Sequence, residues 1–571
     1  MLMPNEEEIF SRLDLAFASF LSQRTTLDAA RLKALETLLA TLSQQQHQGH
    51  SCIEISDADK TLLLDSGLIC EDPTSSYQTV PLVVEKNRLY LQRYWHYEDR
   101  LARQIKTLSR IGKSVVNLDY LLDRYFPATN TETNYQRVAA KLAAQQSFCI
   151  ITGGPGTGKT TTICKILAVL QELADEPLLI ALAAPTGKAA MRLQEAISQN
   201  LAELNCPDTI KNHIPHTANT LHRLLGAQPP SPYFRHDKDN PLVFDLVVVD
   251  EASMVDLALM SKLVDALKPG AKLILLGDKD QLASVESGAV LADLIAALPN
   301  NTVELKHSYR FEMGIKQLAD AVNQQDFETA WDILSTNHDA TKLLEQEQLM
   351  PYILDKRKEY LRLVNTKAKF SMLYQAFNSF QVLCSNRHGK NGALEINTAV
   401  EQDLFGLRLK YGTTFWYPGR PVMILQNNPT LHLYNGDIGI CLPDHEQNDN
   451  LMVFFQRADG AVKKHLPARM PTCETVFAMT VHKSQGSEFE EVLIVLPETV
   501  NPVLSKELLY TAITRARKKI NIVAEESVFT ATINRKMERI TGLVNKFQQS
   551  SFNYRRKETE RLPTEKQNGL R

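Results

Sequence analysis

Closely spaced cysteines are missing from this 571-residue chain. Its eight cysteines, at positions 52, 70, 149, 164, 206, 384, 441 and 473, are never nearer than 15 positions to one another. No C-x-x-C corner is therefore offered to zinc or an iron–sulfur cluster, and the thiols read as buried groups in a reducing compartment. Long apolar runs are missing too. Asp245 and Asp250 interrupt the best candidate and Asp293 the next, short of the roughly 18 residues that a membrane helix needs. The start carries Glu6, Glu7 and Glu8 where a secretory signal would be basic, so a cytoplasmic location and no membrane partner are expected. An excess of charge is also lacking: 63 Lys and Arg against 66 Asp and Glu leave a net charge of −3. That balance does not decide about nucleic acid, which needs only a local basic groove. With 44% hydrophobic and 23% charged residues, disordered and fibrous classes are excluded, and the length suits about three to five domains.

Residues 1 to about 125 read as mainly helical, with an aromatic and charged stretch at Arg93-Tyr94-Trp95-His96-Tyr97-Glu98 and no phosphate, metal or nucleophile motif. From about 134 to 310, apolar runs at Phe148 to Thr152, Leu179 to Ala184, Leu246 to Asp250 and Lys272 to Gly277 alternate with helical patterns. Short buried strands separated by helices predict a parallel sheet with crossover helices. The polar run Asn212 to Pro241 predicts an inserted loop. Further runs at Gln381 to Cys384, Glu491 to Leu496 and Lys519 to Ala524 predict a second parallel sheet. Between them, at about 411–466, short strands punctuated by Pro418-Gly419, Asn435-Gly436-Asp437 and Asp459-Gly460 predict a small antiparallel barrel. The chain thus divides into 1–125, 126–310, 311–550 with the insertion, and a tail at 551–571. From Arg555 the tail carries six basic and three acidic residues and reads as disordered.

Gly153-Gly154-Pro155-Gly156-Thr157-Gly158-Lys159-Thr160 satisfies G-x-x-x-x-G-K-[ST], directly after a predicted strand and before a helical pattern opening at Thr161. The glycines let backbone N–H groups wrap the phosphates of a nucleotide at a helix N-terminus. Lys159 is expected to neutralise the β and γ phosphates, and the Thr160 hydroxyl to ligate Mg²⁺. Val247-Val248-Val249-Asp250-Glu251 ends an apolar strand in two carboxylates, where the crevice of a parallel sheet opens. There Asp250 would complete the Mg²⁺ shell and Glu251 would polarise the attacking water. Alone, a strand-ending Asp-Glu is more often a solvated turn; behind a phosphate loop the odds reverse. The next strand ends in Gly277-Asp278-Lys279-Asp280-Gln281, where the Gln281 amide is placed to touch both the γ-phosphate and its water, though alone it reads as a helix-start loop.

These blocks resemble superfamily 1 helicases of the RecD family. So do Ala184-Pro185-Thr186-Gly187-Lys188-Ala189-Ala190, Thr220-Leu221-His222-Arg223, Tyr309-Arg310-Phe311 and Asn435-Gly436-Asp437-Ile438-Gly439. Ala478-Met479-Thr480-Val481-His482-Lys483-Ser484-Gln485-Gly486 and Tyr510-Thr511-Ala512-Ile513-Thr514-Arg515-Ala516-Arg517 are similar to the family's motifs V and VI. The resemblance runs from about 134 to 525, and more loosely through the amino-terminal module. It implies two RecA-like motor domains with ATP between them, a mainly helical amino-terminal domain that docks partners, and an SH3-like barrel inserted in the second motor. Gln136 matches an adenine-contacting glutamine. Arg310 and Arg515 match arginines that reach the γ-phosphate from across the cleft. Thr186, Lys188, Thr220 and His222 on the first motor, with Thr480, His482 and Lys483 on the second, match positions that hold the backbone of single-stranded DNA. The implied activity is 5′-to-3′ translocation on single-stranded DNA and unwinding from duplex ends, in a RecBCD-type helicase–nuclease with RecB-like and RecC-like subunits.

Three rival readings stand beside this one. An intrinsic nuclease would need clustered metal-binding carboxylates, for which Pro207-Asp208 and Glu304-Leu305-Lys306 are the poor candidates on offer. An ATP-gated scaffold would not need Glu251, Gln281, Arg310 and Arg515 together. A free-standing RecD-like helicase would carry paired helix-hairpin-helix glycines before residue 134, and no such pattern is present.

Overall fold

In a computed structural model, the residues described are 10–69, 80–110, 112, 115–127, 133–284, 286–307, 313–336, 339–406, 415–428, 430–457 and 460–548. Arg310 and the tail 551–571 lie outside them.

The amino-terminal module is helical around a small sheet. Helices Arg12–Ser22, Ala29–His47 and Asp57–Ser66 surround strands β1 (Cys52–Glu54), β2 (Leu82–Glu85) and β3 (Arg88–Leu91), paired antiparallel in the order β1-β3-β2. Ser11 and Ser56 open their helices with capping boxes, each hydroxyl satisfying a backbone N–H that the helix itself leaves unpaired.

The first motor sheet contains β4 (Phe148–Thr152), β5 (Ile180–Ala184), β6 (Ala218–Thr220), β7 (Leu246–Val249), β8 (Lys272–Gly277) and β9 (Thr302–Glu304). All pairs are parallel, in the order β6-β5-β7-β8-β4-β9. β4 and β5 are buried along their whole length, as expected where helices cover both faces. The expected loop at 212–241 contains β6 and the short helix Leu221–Leu225. β6 is a three-residue, half-buried edge strand, too short and too polar to show a period.

The second motor sheet has the order β10-β19-β18-β11-β17, again all parallel. Its strands are β10 (Thr341–Leu344), β11 (Phe380–Cys384), β17 (Ala478–Thr480), β18 (Phe489–Val495) and β19 (Ala516–Val523). Between β11 and β17 the chain makes β12 (Arg420–Ile424), β13 (Ile438–Asp444), β14 (Asn450–Gln456), β15 (Val462–His465) and β16 (Cys473–Thr475), an antiparallel sheet ordered β15-β14-β13-β12-β16. Val422, Ile424, Leu433, Val453 and Phe455 form its own core. Gly439 is required there, because a Cβ would lie 2.5 Å from the Phe455 ring.

Core packing crosses residue 125. Helix Gln92–Ser109 buries Leu101, Ala102 and Ile105 against Phe148, Ile150, Leu273 and Leu275 of the first motor. At its polar edge Arg100 donates to Ser261 Oγ (3.1 Å) and Asp265 Oδ2 (3.0 Å), and Gln104 donates to Asp265 Oδ1 (2.8 Å). After helix Glu526–Asn534 of the second motor, the chain returns across the first and forms helix Leu543–Gln548. Lys546 there is buried, its ammonium 2.6 Å from Glu85 and 4.6 Å from the centre of the Trp95 ring. Trp95 therefore sits inside the molecule. Among the described residues, no helix is long and apolar enough to cross a membrane.

Candidate ATP site and DNA-facing surface

The phosphate loop joins β4 to helix Lys159–Leu173. Gly156 (φ +78°) and Gly158 (φ +79°) take left-handed conformations, which residues with a Cβ adopt only under strain. Gly158 is also closely approached: a Cβ would stand 3.0 Å from Gln136 Nε2, so Gln136 lies against the loop. Thr157 Oγ1 donates to the Gly154 carbonyl (2.8 Å), and the Lys159 ammonium to the Gly153 and Gly154 carbonyls (2.6 and 3.0 Å). Pro155 lies within the loop, and Thr160 and Thr161 occupy the first turn of the helix, half-buried.

Because β8 lies between β4 and β7, the ends of these three strands meet in one crevice. Gly153 N–H donates to the Gly277 carbonyl at 3.2 Å. At the end of β7, Asp250 Oδ1 accepts from the Glu251 N–H at 2.9 Å, and Glu251 has φ +52°. A non-glycine residue in that region is uncommon and clusters at functional sites. Burial and the neighbouring Glu251 carboxylate raise the Asp250 pKa, against the pull of Lys159.

Asp278, at the end of β8, received no role from sequence. It is 1% exposed and accepts from Gln281 Nε2 and Tyr510 Oη, both at 3.1 Å. Burial pushes its carboxyl up to about 6, opposed by Lys159. The only available signal was its place three residues before Gln281 at the end of an apolar strand.

Tyr510 comes from the second motor, on helix Lys506–Ile513. Its hydroxyl would be 3.1 Å from a Cβ on Gly154. Thr511 Oγ1 accepts from Leu282 N–H (2.8 Å), and Gln485 Nε2 donates to the Leu282 carbonyl (3.2 Å). Arg515, 3% exposed, is held by three acceptors: the carbonyls of Thr511 and Ser487 (both 3.2 Å) and Gln281 Oε1 (2.7 Å). The structure thus brings Lys159, Asp250, Glu251, Gln281 and Arg515 to one cleft. A further cross-cleft contact has no counterpart in the sequence reading: Arg192 of the first motor faces Glu488 of the second at 3.7 Å, and Arg517 grips the same carboxylate at 2.8 and 3.0 Å.

The residues matched to DNA contacts lie at strand ends of both motors and in the helix starts and the turn that follow them. The hydroxyls of Thr186 and Thr220 each cap a helix, accepting from Ala189 and Arg223 N–H at 3.2 Å. His222 is exposed, its ring edge-on to Phe234 at 5.7 Å. Burial, with Arg192 nearby, pushes Lys188 down to about 7, while Asp437 acts the other way. Thr480 ends β17, and His482 and Lys483 lie in the turn Val481–Ser484. Lys483 pairs with Glu474, which also accepts from Arg387 at 3.1 Å. Burial and the Arg539 charge lower the His482 pKa. Gly486, beyond that turn, lies 3.5 Å from Ala189 when a Cβ is placed on it, so the two sets approach each other where the domains meet.

Comparison with known proteins gives the family. Residues 6–75 match the family model "RecBCD enzyme subunit RecD, N-terminal domain", 136–287 an "AAA domain", and 475–523 a "UvrD-like helicase C-terminal domain". Similar curated proteins include the RecBCD enzyme subunit RecD of Haemophilus influenzae, 36% identical with 83% of this chain and 82% of the relative covered. That of Mycobacterium tuberculosis is 39% identical, with 80% and 79% covered. The ATP-dependent RecD2 DNA helicase of Deinococcus radiodurans is 30% identical, with 91% and 69% covered. By these likenesses, spread over both motors and the amino-terminal module, the chain belongs to the RecD family.

Proposed function

We propose that this ATP-hydrolysing DNA helicase couples hydrolysis in the cleft between its two parallel sheets to 5′-to-3′ movement along single-stranded DNA, entering at duplex ends. The observation that carries the reading is the bond from Arg515 Nη2 to Gln281 Oε1 across the cleft. It makes the γ-phosphate site a joint between two domains, so that binding and loss of the phosphate change how tightly they close.

Within that reading, Gly153, Gly154, Gly156, Thr157 and Gly158 wrap the phosphates, Lys159 neutralises them, and Gln136 contacts the base. Glu251 orients the attacking water, Gln281 senses the γ-phosphate, and Arg515 stabilises charge that develops on it. Arg310 is proposed as a second arginine on its family match alone. Asp250 and Asp278, both raised by burial, leave the pocket short of positive charge, and the oxygen donors of Thr160 and Asp250 suit Mg²⁺. When bound, that ion would supply charge neutralisation across the β and γ phosphates. Thr186, Lys188, Thr220, His222, Thr480, His482 and Lys483 would hold phosphates without reading bases, as a motor moving along any sequence requires.

The antiparallel sheet β12–β16 is proposed as an SH3-like barrel beside the strand's path. The match of residues 6–75 to the amino-terminal domain of RecBCD subunits supports the subunit form, with RecB-like and RecC-like partners, in the cytoplasm. The motor reading is tested with DNA-stimulated ATPase and strand-displacement assays on the wild-type chain and Lys159→Gln. The wild type should turn over ATP only with single-stranded DNA, and the variant should fold yet do neither. Equal turnover with and without DNA would contradict it.

A further inference from the structure

The loop that follows Gln281 is held from two sides. Toward the cleft, Gln281 and Leu282 bond to Arg515, Thr511 and Gln485 of the second motor. On the way back, Ser284 N–H donates to the Ser253 carbonyl at 3.1 Å, and Leu257 N–H to the Ser287 carbonyl at 3.2 Å. The loop is thereby tied to the turn that carries Asp250 and Glu251. Its far side is gripped by Arg539, from the segment that returns after the second motor. Arg539 Nη1 donates to the carbonyls of Glu286 (2.7 Å) and Gly288 (2.8 Å), and Nη2 to that of Ser284.

The same guanidinium rests on the amino-terminal module. Gly288 N–H donates to the Gly49 carbonyl (2.9 Å), and Ser287 Oγ to that of Gln46 (3.3 Å). Gly49 has φ +93°, and a Cβ there would fall 2.8 Å from Arg539 Cζ. Next door, Ile540 N–H donates to His50 Nδ1 at 2.9 Å, and Ser51 N–H to the Ile540 carbonyl at 3.1 Å. One planar, always-charged fork therefore joins three bodies: the sensor loop of the first motor, the segment leaving the second, and the Gln46–Ser51 turn of a module that contributes none of the proposed ATP contacts.

We propose that Arg539 is a positioning residue for ATP hydrolysis. By clamping the carbonyls of Ser284, Glu286 and Gly288 it fixes Gln281 against Arg515, and through Gly49 it makes turnover depend on how the amino-terminal module is seated. This rests on the motor reading above. A partner that docks on the module and shifts the Gln46–Ser51 turn would change the rate of hydrolysis without touching nucleotide.

The test uses the full-length chain, measuring kcat and KM for DNA-stimulated ATP hydrolysis, the Kd of a fluorescent ATP analogue, and melting temperature. Arg539→Gln should lower kcat at least about tenfold, because small misplacements of an aligned group are costly, while nucleotide Kd stays within about twofold. Arg539→Lys should recover only part, since a single ammonium cannot span three carbonyls. Gly49→Ala, a change made wholly in the module, should reproduce the kcat loss, and combining it with Arg539→Gln should add little further. Gly67→Ala is the control. It is also a module glycine at positive φ (+71°), but with nothing within 4 Å of its Cβ, so it should lower melting temperature and leave kcat alone. Unchanged kcat in Arg539→Gln, or equal kcat losses in Gly49→Ala and Gly67→Ala, would overturn the proposal while leaving the motor reading intact. A wild-type chain without DNA-stimulated turnover would overturn both.

Discussion

Arg515 Nη2 donates to Gln281 Oε1 at 2.7 Å, although 234 positions separate the two residues in sequence. Gln281 in turn donates to Asp278, and Asp278 also accepts from Tyr510 of the second motor. Two side chains from each domain thus share one buried chain of hydrogen bonds, in which each group fixes the next. The Gln281 amide is thereby held by its own domain through its nitrogen and by the second motor through its oxygen.

Arg515→Ala should therefore lower kcat by about 10³ or more while nucleotide binds almost normally, since the guanidinium is proposed to act on charge that develops during transfer. Gln281→Ala should reduce turnover by a smaller factor, and the double variant should fall short of the product of the two effects because they act as a unit. Single-turnover hydrolysis beside equilibrium nucleotide binding measures this. Weakened binding with full turnover would make Arg515 a ground-state contact.

Asp278 sets a pH dependence. With its carboxyl at about 6, the ionised form that accepts from both neighbours is lost as pH falls through that value, and turnover should fall with it. Stability should run the other way. A carboxyl that holds its proton more tightly when folded adds stability below its unfolded pKa of about 4, and that contribution disappears as pH rises through the folded value. Asp278→Asn should flatten the stability profile between about pH 4 and 6. It should also make the acid limb of turnover shallower. Superimposable denaturation midpoints for the two proteins across that range would rule this out.

Lys188 gives a second, opposite dependence. Held down at about 7, it is cationic below neutrality, so affinity for single-stranded DNA should weaken as pH rises from about 6 to 8 and one phosphate contact is lost. Arg stays protonated throughout, and Lys188→Arg should flatten the curve. Fluorescence anisotropy with labelled oligo-dT at fixed salt reads it directly, and a wild-type affinity independent of pH would remove Lys188 from the DNA path.

Leu101→Ala should destabilise the first motor, although it is made in a helix outside the ATP site. The side chain is fully buried with Phe148 and Ile150 of β4, and a truncation of this kind costs about 2 to 5 kcal/mol. Urea unfolding should show the loss in a transition shared with the ATP-binding domain. A change below about 0.5 kcal/mol, the level of an ordinary surface substitution, would mean the helix is only loosely attached.

The sequence alone determined what depends on neighbours a few residues away. Glycines at 153, 156 and 158 ahead of Lys159 specify a phosphate loop because their backbone freedom is a local property. The β-branched run Val247–Val249 ahead of Asp250 specifies a buried parallel strand by composition alone. β4, β5, β7 and β8 of the first motor sheet, β11, β18 and β19 of the second, and the antiparallel strands at about 411–466 were legible on that scale. β6, β9, β10, β16 and β17 were not, because strands of three or four residues carry too little of a period to read. Only the tertiary structure decided which distant groups meet. Asp278 became a buried acceptor once β8 was placed between β4 and β7. Helix Gln92–Ser109 became part of a motor core because its apolar face met β4 and β8. Arg539, in a segment without a motif, reached the carbonyls of Ser284, Glu286 and Gly288 because the chain returns over the first motor. Such contacts join residues as much as 490 positions apart, and no local propensity records where the two ends of so long a loop will lie.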